Sequence, residues 1–169
     1  MADPHMTFMR HALDEADAAL RAKEFPVGCV LVSGNQIVAR GRRKNSKGQA
    51  LTELDHAEMV ALRSLASAVS GVPGPLVAYA TMEPCLMCYA ALLLNGVQTI
   101  VYAYEDVMGG GSTAPLDKLP PLYRTRAPEI ISGVGRNESL ALFRRFFSDP
   151  ANDYWRGSLL ADFTLQQEP

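Results

Sequence analysis

The sequence predicts an α/β fold: three α/β/α layers around a mixed five-stranded sheet. Three observations predict it. Several segments repeat apolar residues at helical spacing, short apolar runs alternate with them, and the first two runs are separated only by Ser33, Gly34 and Asn35, a hairpin signature. Strands alternating with helices imply right-handed crossovers and a sheet covered on both faces.

In order, Phe8, Met9, Ala12, Leu13, Ala16, Ala19 and Leu20 define a first amphipathic helix, stopped by "EFP"; the opening "MADPHM" is set aside as leader-like. "VGCVLV" and "QIVARG" form the hairpin. The polar stretch "RRKNSKGQALTELD" is long enough for a functional loop, and His56 then opens a second helix, "HAEMVALRSLASAV", ended by "GVPG". "PLVAYATM" is a near-continuous apolar strand, "CLMCYAALLLNG" a third helix closed by Asn95 and Gly96, and "VQTIVYAY" another buried strand. The segment from Glu105 to Pro121 reads as a long loop with "GGGST" flexible within it. "APEIISGV" supplies the fifth strand and "NESLALFRRFF" a helix with Asn137 as its N-cap. Residues 1–169 are expected to form one domain, with a core over about 8–147 and an extension, 148–169, packing back.

With 48% hydrophobic residues, 16 Lys and Arg against 18 Asp and Glu, and a net charge of -2, the chain lacks the basic field of a general nucleic-acid binder. No apolar run approaches the roughly 20 residues of a membrane span, so a soluble, cytoplasmic protein without membrane contact is expected. Three cysteines in a reducing compartment disfavour a disulfide framework and direct the close pair Cys85 and Cys88 toward metal or redox chemistry.

That pair lies in "TMEPCLMC", at the start of a helix, where unpaired N–H groups and the dipole favour thiolates, and Pro84 suits the first turn. Zinc takes four donors, one of them water at a catalytic site, so a third protein ligand is required. Of three histidines, His5 and His11 lie at or before the first helix. His56, one crossover upstream, is the candidate, because both helix starts then lie at one sheet edge. Glu58 points around the helix from His56 and is poorly placed as a ligand, yet its side chain can reach the water position, where a carboxylate takes and returns protons.

H-x-E followed by P-C-x-x-C is the signature of zinc nucleobase deaminases. With "EFPVGCVLV", "DHAEMVALR" and "TMEPCLMCYAALLLNGVQTIVYAY", the chain resembles the cytidine deaminase-like superfamily, most of all its bacterial tRNA adenosine deaminase and nucleoside deaminase branch. The resemblance implies zinc on His56, Cys85 and Cys88, with Glu58 as proton shuttle. It further implies Asn45 on the base or its ribose, Val27 and Gly28 in the pocket wall, the Pro84 carbonyl near the departing amine, and a homodimer. The implied substrate is adenosine in a tRNA, converted to inosine. The alternative is a free base, nucleoside or nucleotide of guanine, cytosine or cytidine type.

The loop "EDVMGGGST" stands where the tRNA enzymes generally carry a Lys-containing loop, while Arg42, Arg43, Lys44 and Lys47 form a basic cluster beside the site. Cys29 reads as a core residue; as a fourth ligand it would instead close the site and make the protein a non-catalytic zinc module. Tyr154 and Trp155 read as anchors of a terminal helix, with a base-stacking platform as the alternative.

Overall fold

A computed structural model describes residues 4–67 and 74–168. Helix α1 (Pro4–Arg21) precedes strands β1 (Gly28–Ser33) and β2 (Gln36–Arg42), helix α2 (Ala57–Ala66), strand β3 (Leu76–Met82), helix α3 (Leu86–Leu94) and strand β4 (Val97–Tyr104). The short helix α4 (Pro121–Arg124), strand β5 (Glu129–Ser132) and helices α5 (Arg136–Ser148) and α6 (Leu159–Gln166) complete the order.

The sheet runs β2-β1-β3-β4-β5; β1 is antiparallel to both neighbours, and β3, β4 and β5 are parallel. The expected mixed five-stranded sheet is therefore present. Val30, Val32, Val101 and Ala103 meet Met9 and Ala12 of α1 on one face. Cys29, Leu31, Ala78 and Ile100 join the core of Ala57, Ala61, Tyr89 and Leu92 from α2 and α3. Side-chain alternation along a strand explains the division, and burial on both faces explains why β1 and β3 read as continuous apolar runs. Two glycines bring the helices close. A Cβ on Gly28 would lie 2.1 Å from the Ala12 carbonyl oxygen of α1, and one on Gly41 would lie 2.1 Å from that of Ala57 in α2.

Register then places the functional edge. Gly28 pairs with Arg42, Cys29 with Ala80 and Met82 with Tyr104, so the start of β1 and the ends of β2, β3 and β4 share one side of the sheet. Both α2 and α3 begin there.

Four expectations are corrected. Helix α1 starts at Pro4, not Phe8, because Met6 packs on the core and the His5 ring nitrogen lies 3.0 Å from the Tyr79 hydroxyl. The long loop after β4 contains a 3-10 turn at Leu116–Lys118 and the helix α4. Helix α5 is entered from Gly135 at φ 72, which leaves Asn137 inside the first turn instead of capping it. Helix α2 ends at Ala66 with Ser67 as C-cap; the rest of its expected length and most of "GVPG" lie outside the described residues. Near the chain end, the Ser158 hydroxyl accepts from the Ala161 N–H at 3.2 Å and so caps α6. Helix α6 packs on α5, with the Tyr104 and Thr164 hydroxyl oxygens 3.0 Å apart. Among the described residues no helix is long and apolar enough to cross a membrane.

Candidate active site

His56 is the N-cap of α2 and Cys85 the N-cap of α3, both in extended conformation, and Cys88 lies one turn into α3. At a cap the side chain projects off the helix end beside unpaired backbone N–H groups, so two helix starts at one sheet edge bring the three donors together. The His56 Nδ1 lies 3.5 Å from the Cys85 Sγ and 3.6 Å from the Cys88 Sγ. Tetrahedral zinc with bonds of about 2.1 Å to nitrogen and 2.3 Å to sulfur separates those atoms by about 3.6 Å. The donor set fits the ion, and its three members leave one of four positions open.

The three donors differ in how tightly they hold a proton, and zinc, when bound, displaces those that remain. A hydrogen bond from Cys88, aided by His56 and opposed by burial, pulls the Cys85 thiol down to about 4, the thiolate range. Its hydrogen bond to Cys85, together with burial, pushes Cys88 up. Burial alone would lower His56, but hydrogen bonds to Cys85 and Glu53 hold the imidazole up at about 9. Glu58 is 3% exposed, and burial raises its carboxyl.

Glu58, His56 and Cys85 line one cavity of about 130 Å³, together with Phe25, Val27, Asp106, Tyr154 and Trp155. Drug-sized ligand sites run to about 300–1,000 Å³, so this one has room for a single flat heterocycle.

The family model for the cytidine and deoxycytidylate deaminase zinc-binding region matches residues 2–104. A tRNA-specific adenosine deaminase of Agrobacterium fabrum is 31% identical, over 86% of this chain and 95% of the relative. The corresponding Bacillus subtilis protein is 31% identical, over 84% of this chain and 88% of its own. The chain belongs to the cytidine and deoxycytidylate deaminase family. A solved structure from work on A-to-I editing by tRNA deaminases at the wobble position of transfer RNA superposes with a TM-score of 0.65 and 30% identity. That match covers 78% of this chain and 100% of the other. Family and donor set together make the protein a zinc-dependent deaminase acting on nucleobases.

The deaminase's remaining candidate residues fall in different places. Val27 lines the cavity. Asn45 does not: it adopts φ 54, and its Nδ2–H donates to the Asp55 Oδ2 at 2.7 Å. Gly28 faces α1, and its N–H donates to the Thr81 hydroxyl at 3.0 Å. The Pro84 carbonyl accepts the Gly111 N–H at 2.9 Å. Cys29 is buried in β1 and does not belong to the His56, Cys85 and Cys88 cluster, so the closed four-ligand site is not formed.

Two surface readings also change. "GGGST" is tied down, because Gly110 bridges to Cys85 and the Ser112 hydroxyl donates to the Glu83 Oε1 at 2.5 Å. A Cβ on Gly110 would lie 2.5 Å from the Glu83 carboxyl, so only glycine lets the loop sit over the Cys85 turn. The basic cluster is largely engaged within the chain. Arg42 lies 3.6 Å from Glu15, Lys47 donates to the Ala22 carbonyl, and Arg43 is 2% exposed.

Sequence reasoning missed Glu53; Tyr154 packs on the core at Phe25 as expected of an anchor, while the exposed Trp155 does not, and both line the cavity. The Glu53 Oε2 accepts from the His56 Nε2–H at 3.1 Å, the Tyr154 hydroxyl at 2.8 Å and the Arg43 Nη2 at 3.3 Å. The first bond orients the imidazole so that Nδ1 faces the sulfurs. Arg43 also donates to the Thr52 carbonyl at 2.8 Å and lies 5.4 Å from the Tyr154 ring centroid, while its Nε has no partner. Trp155 is 44% exposed, and Leu160, at 1%, is what buries the start of α6. Glu53 stands three residues before His56, a spacing visible in the sequence, whereas the contact of Tyr154 with Glu53 leaves no local signal.

Proposed function

We propose that the protein hydrolyses the exocyclic amine of adenosine in transfer RNA, giving inosine and ammonia. The observation that carries this reading is the buried Glu58 carboxyl lining the same small cavity as His56 and Cys85, two of the three donors of the His56, Cys85 and Cys88 cluster. The two tRNA-specific relatives, alike over most of both chains, support the choice of base and of RNA. Zinc, when bound, supplies a Lewis acid that brings the pKa of water to about 7.

The chain's residues handle the protons and the base. Glu58 takes a proton from the attacking water and gives it to the ring nitrogen beside the reacting carbon. Glu58 then takes the remaining proton from the added oxygen and gives it to the amine as the carbon–nitrogen bond breaks, so that ammonia leaves and the carbon keeps the oxygen as a carbonyl. Val27 and Met82, both buried, wall the base. The reaction on transfer RNA belongs in the cytoplasm, and the exposed Leu86 and Leu94 on α3 suit a homodimer interface.

A second reading, a free base or nucleoside as substrate, is favoured by one observation: the loop's cations are engaged internally and leave few phosphate partners. Ammonia release measured on transfer RNA, nucleosides and free bases separates the two. Turnover on transfer RNA that weakens with added salt is expected; turnover confined to small substrates would overturn the RNA assignment. Light scattering giving a dimer mass is expected, and a monomer at working concentration would overturn that part.

A further inference from the structure

Among the described residues, Trp155 is the one Phe, Tyr or Trp whose side chain is exposed, and it lines the cavity. Its backbone is also unusual. A φ of 57 is disfavoured for a bulky residue, and such a conformation persists only where the surroundings impose it, most often at functional sites. Burial of the indole does not supply the compensation, because 44% of the residue remains open to solvent.

The surroundings do impose it. The Trp155 carbonyl accepts the Ser158 N–H at 3.1 Å, and Arg156 donates to the carbonyls of Pro150 and Asn152 at 2.5 and 2.7 Å. The indole meets the Tyr154 ring at 5.4 Å and 66°, and Tyr154 in turn meets Phe25 at 5.1 Å. Through its hydroxyl, Tyr154 shares the Glu53 oxygen that orients His56. Tyr154, against whose ring the indole packs, is thus held by the same carboxylate that bonds the His56 imidazole.

We propose that Trp155 is the stacking wall of the substrate site, its indole face holding the nucleobase that enters the cavity. The inference rests on the deaminase reading above for the identity of the guest as a base. An indole face accepts any base, and stacking of this kind changes affinity by about 5- to 100-fold per base. Trp155 therefore contributes to binding, while the choice of reacting carbon belongs to the residues deeper in the cavity.

The chain has 1 Trp, so its emission reports on this ring alone. The test uses the zinc-loaded full chain and two probes that lack the amine: free purine riboside, and an RNA stem–loop carrying purine riboside at the target position. Saturable quenching by free purine riboside is expected. Trp155→Ala should raise KM about 5- to 100-fold with most of the effect absent from kcat, and Trp155→Phe should recover most of the loss. A purely structural tryptophan would instead move stability and zinc content and leave KM alone. Unchanged emission with both probes, or quenching by the stem–loop that is the same without purine riboside at the target position, would overturn the proposal; if Trp155→Ala does not fold, the wild-type emission and Trp155→Phe decide it. Wild-type protein that deaminates no nucleobase substrate would overturn the deaminase reading instead, and quenching by purine riboside would still support the stacking wall.

Discussion

His56, Cys85 and Cys88 meet because two helices start at the same sheet edge, whereas Tyr154 reaches Glu53 across 101 residues of chain. The metal corner is a product of local spacing. Each ligand sits at or within one turn of a helix N-terminus, and the parallel return of β2 and β3 superimposes those starts. The aromatic wall is a product of tertiary packing. Phe25, Tyr154 and the buried Arg43 hold it, and none of the three precedes or follows another at a recognisable interval. One cavity thus has a chemical side specified by short motifs and a binding side specified by the whole fold. The chemical side should tolerate almost no substitution, and the binding side should yield graded losses.

Glu58→Ala sharpens this contrast most. Turnover should fall about 10²- to 10⁴-fold while zinc stays bound, since the role proposed for the carboxyl is proton transfer and it lies outside the His56, Cys85 and Cys88 cluster. Ammonia release beside metal content measures both; full activity in the variant would remove Glu58 from the chemistry. Glu53→Gln tests the joint between the two regions. Losing the charged acceptor of the His56 Nε2–H should weaken zinc binding about 10- to 100-fold, read by competition with a chelator. Unchanged zinc affinity would break the proposed link between corner and wall.

Much of the metal corner was legible because its information is local. "HAE" and "PCLMC" carry spacing that only helix starts convert into a cluster, and the alternating strands and helices supplied the edge where those starts meet. The hairpin turn and the apolar runs gave all five strands. The wall was illegible for the opposite reason. Trp155 follows Tyr154 in a polar tail, where a buried anchor and a cavity lining have the same sequence appearance; only coordinates reveal the indole's exposure and its φ of 57. Asn45 shows the converse. The resemblance implies it as a residue on the base or its ribose, whereas its backbone adopts φ 54, its Nδ2–H donates to Asp55 and it does not line the cavity. The "RRK" charges misled likewise, because a guanidinium as buried as that of Arg43 serves the fold's own carboxylate.

Tyr154→Phe is a gentler probe of the wall. It removes one hydrogen bond to Glu53, worth about 1 kcal/mol, and urea unfolding should show a loss of that size with the ring packing retained. The smallest effect lies beyond the cavity, at the ion pair of Arg136 Nη2 with Glu105 Oε1, 2.5 Å apart. Burial would raise the Glu105 carboxyl, but its bond to Arg136 prevails and holds it below its ordinary value of 4.5. A lowered folded-state pKa gives stability that is present above about 4.5 and lost as pH falls through the folded value. With both side chains about a third exposed, solvent screening limits the gain to about 0.5 kcal/mol. Thermal unfolding between about pH 3 and 6 should show this dependence in the wild type and a flatter one in Arg136→Gln; identical profiles would assign the pair no role in stability.

X-ray absorption at the zinc edge of the purified, metal-loaded protein tests the central chemistry most directly. Two sulfurs at about 2.3 Å and two lighter donors at about 2.0–2.1 Å are predicted, one of the latter exchangeable with solvent. A third sulfur at bonding distance, or protein that takes up no zinc, would contradict an open site built on His56, Cys85 and Cys88.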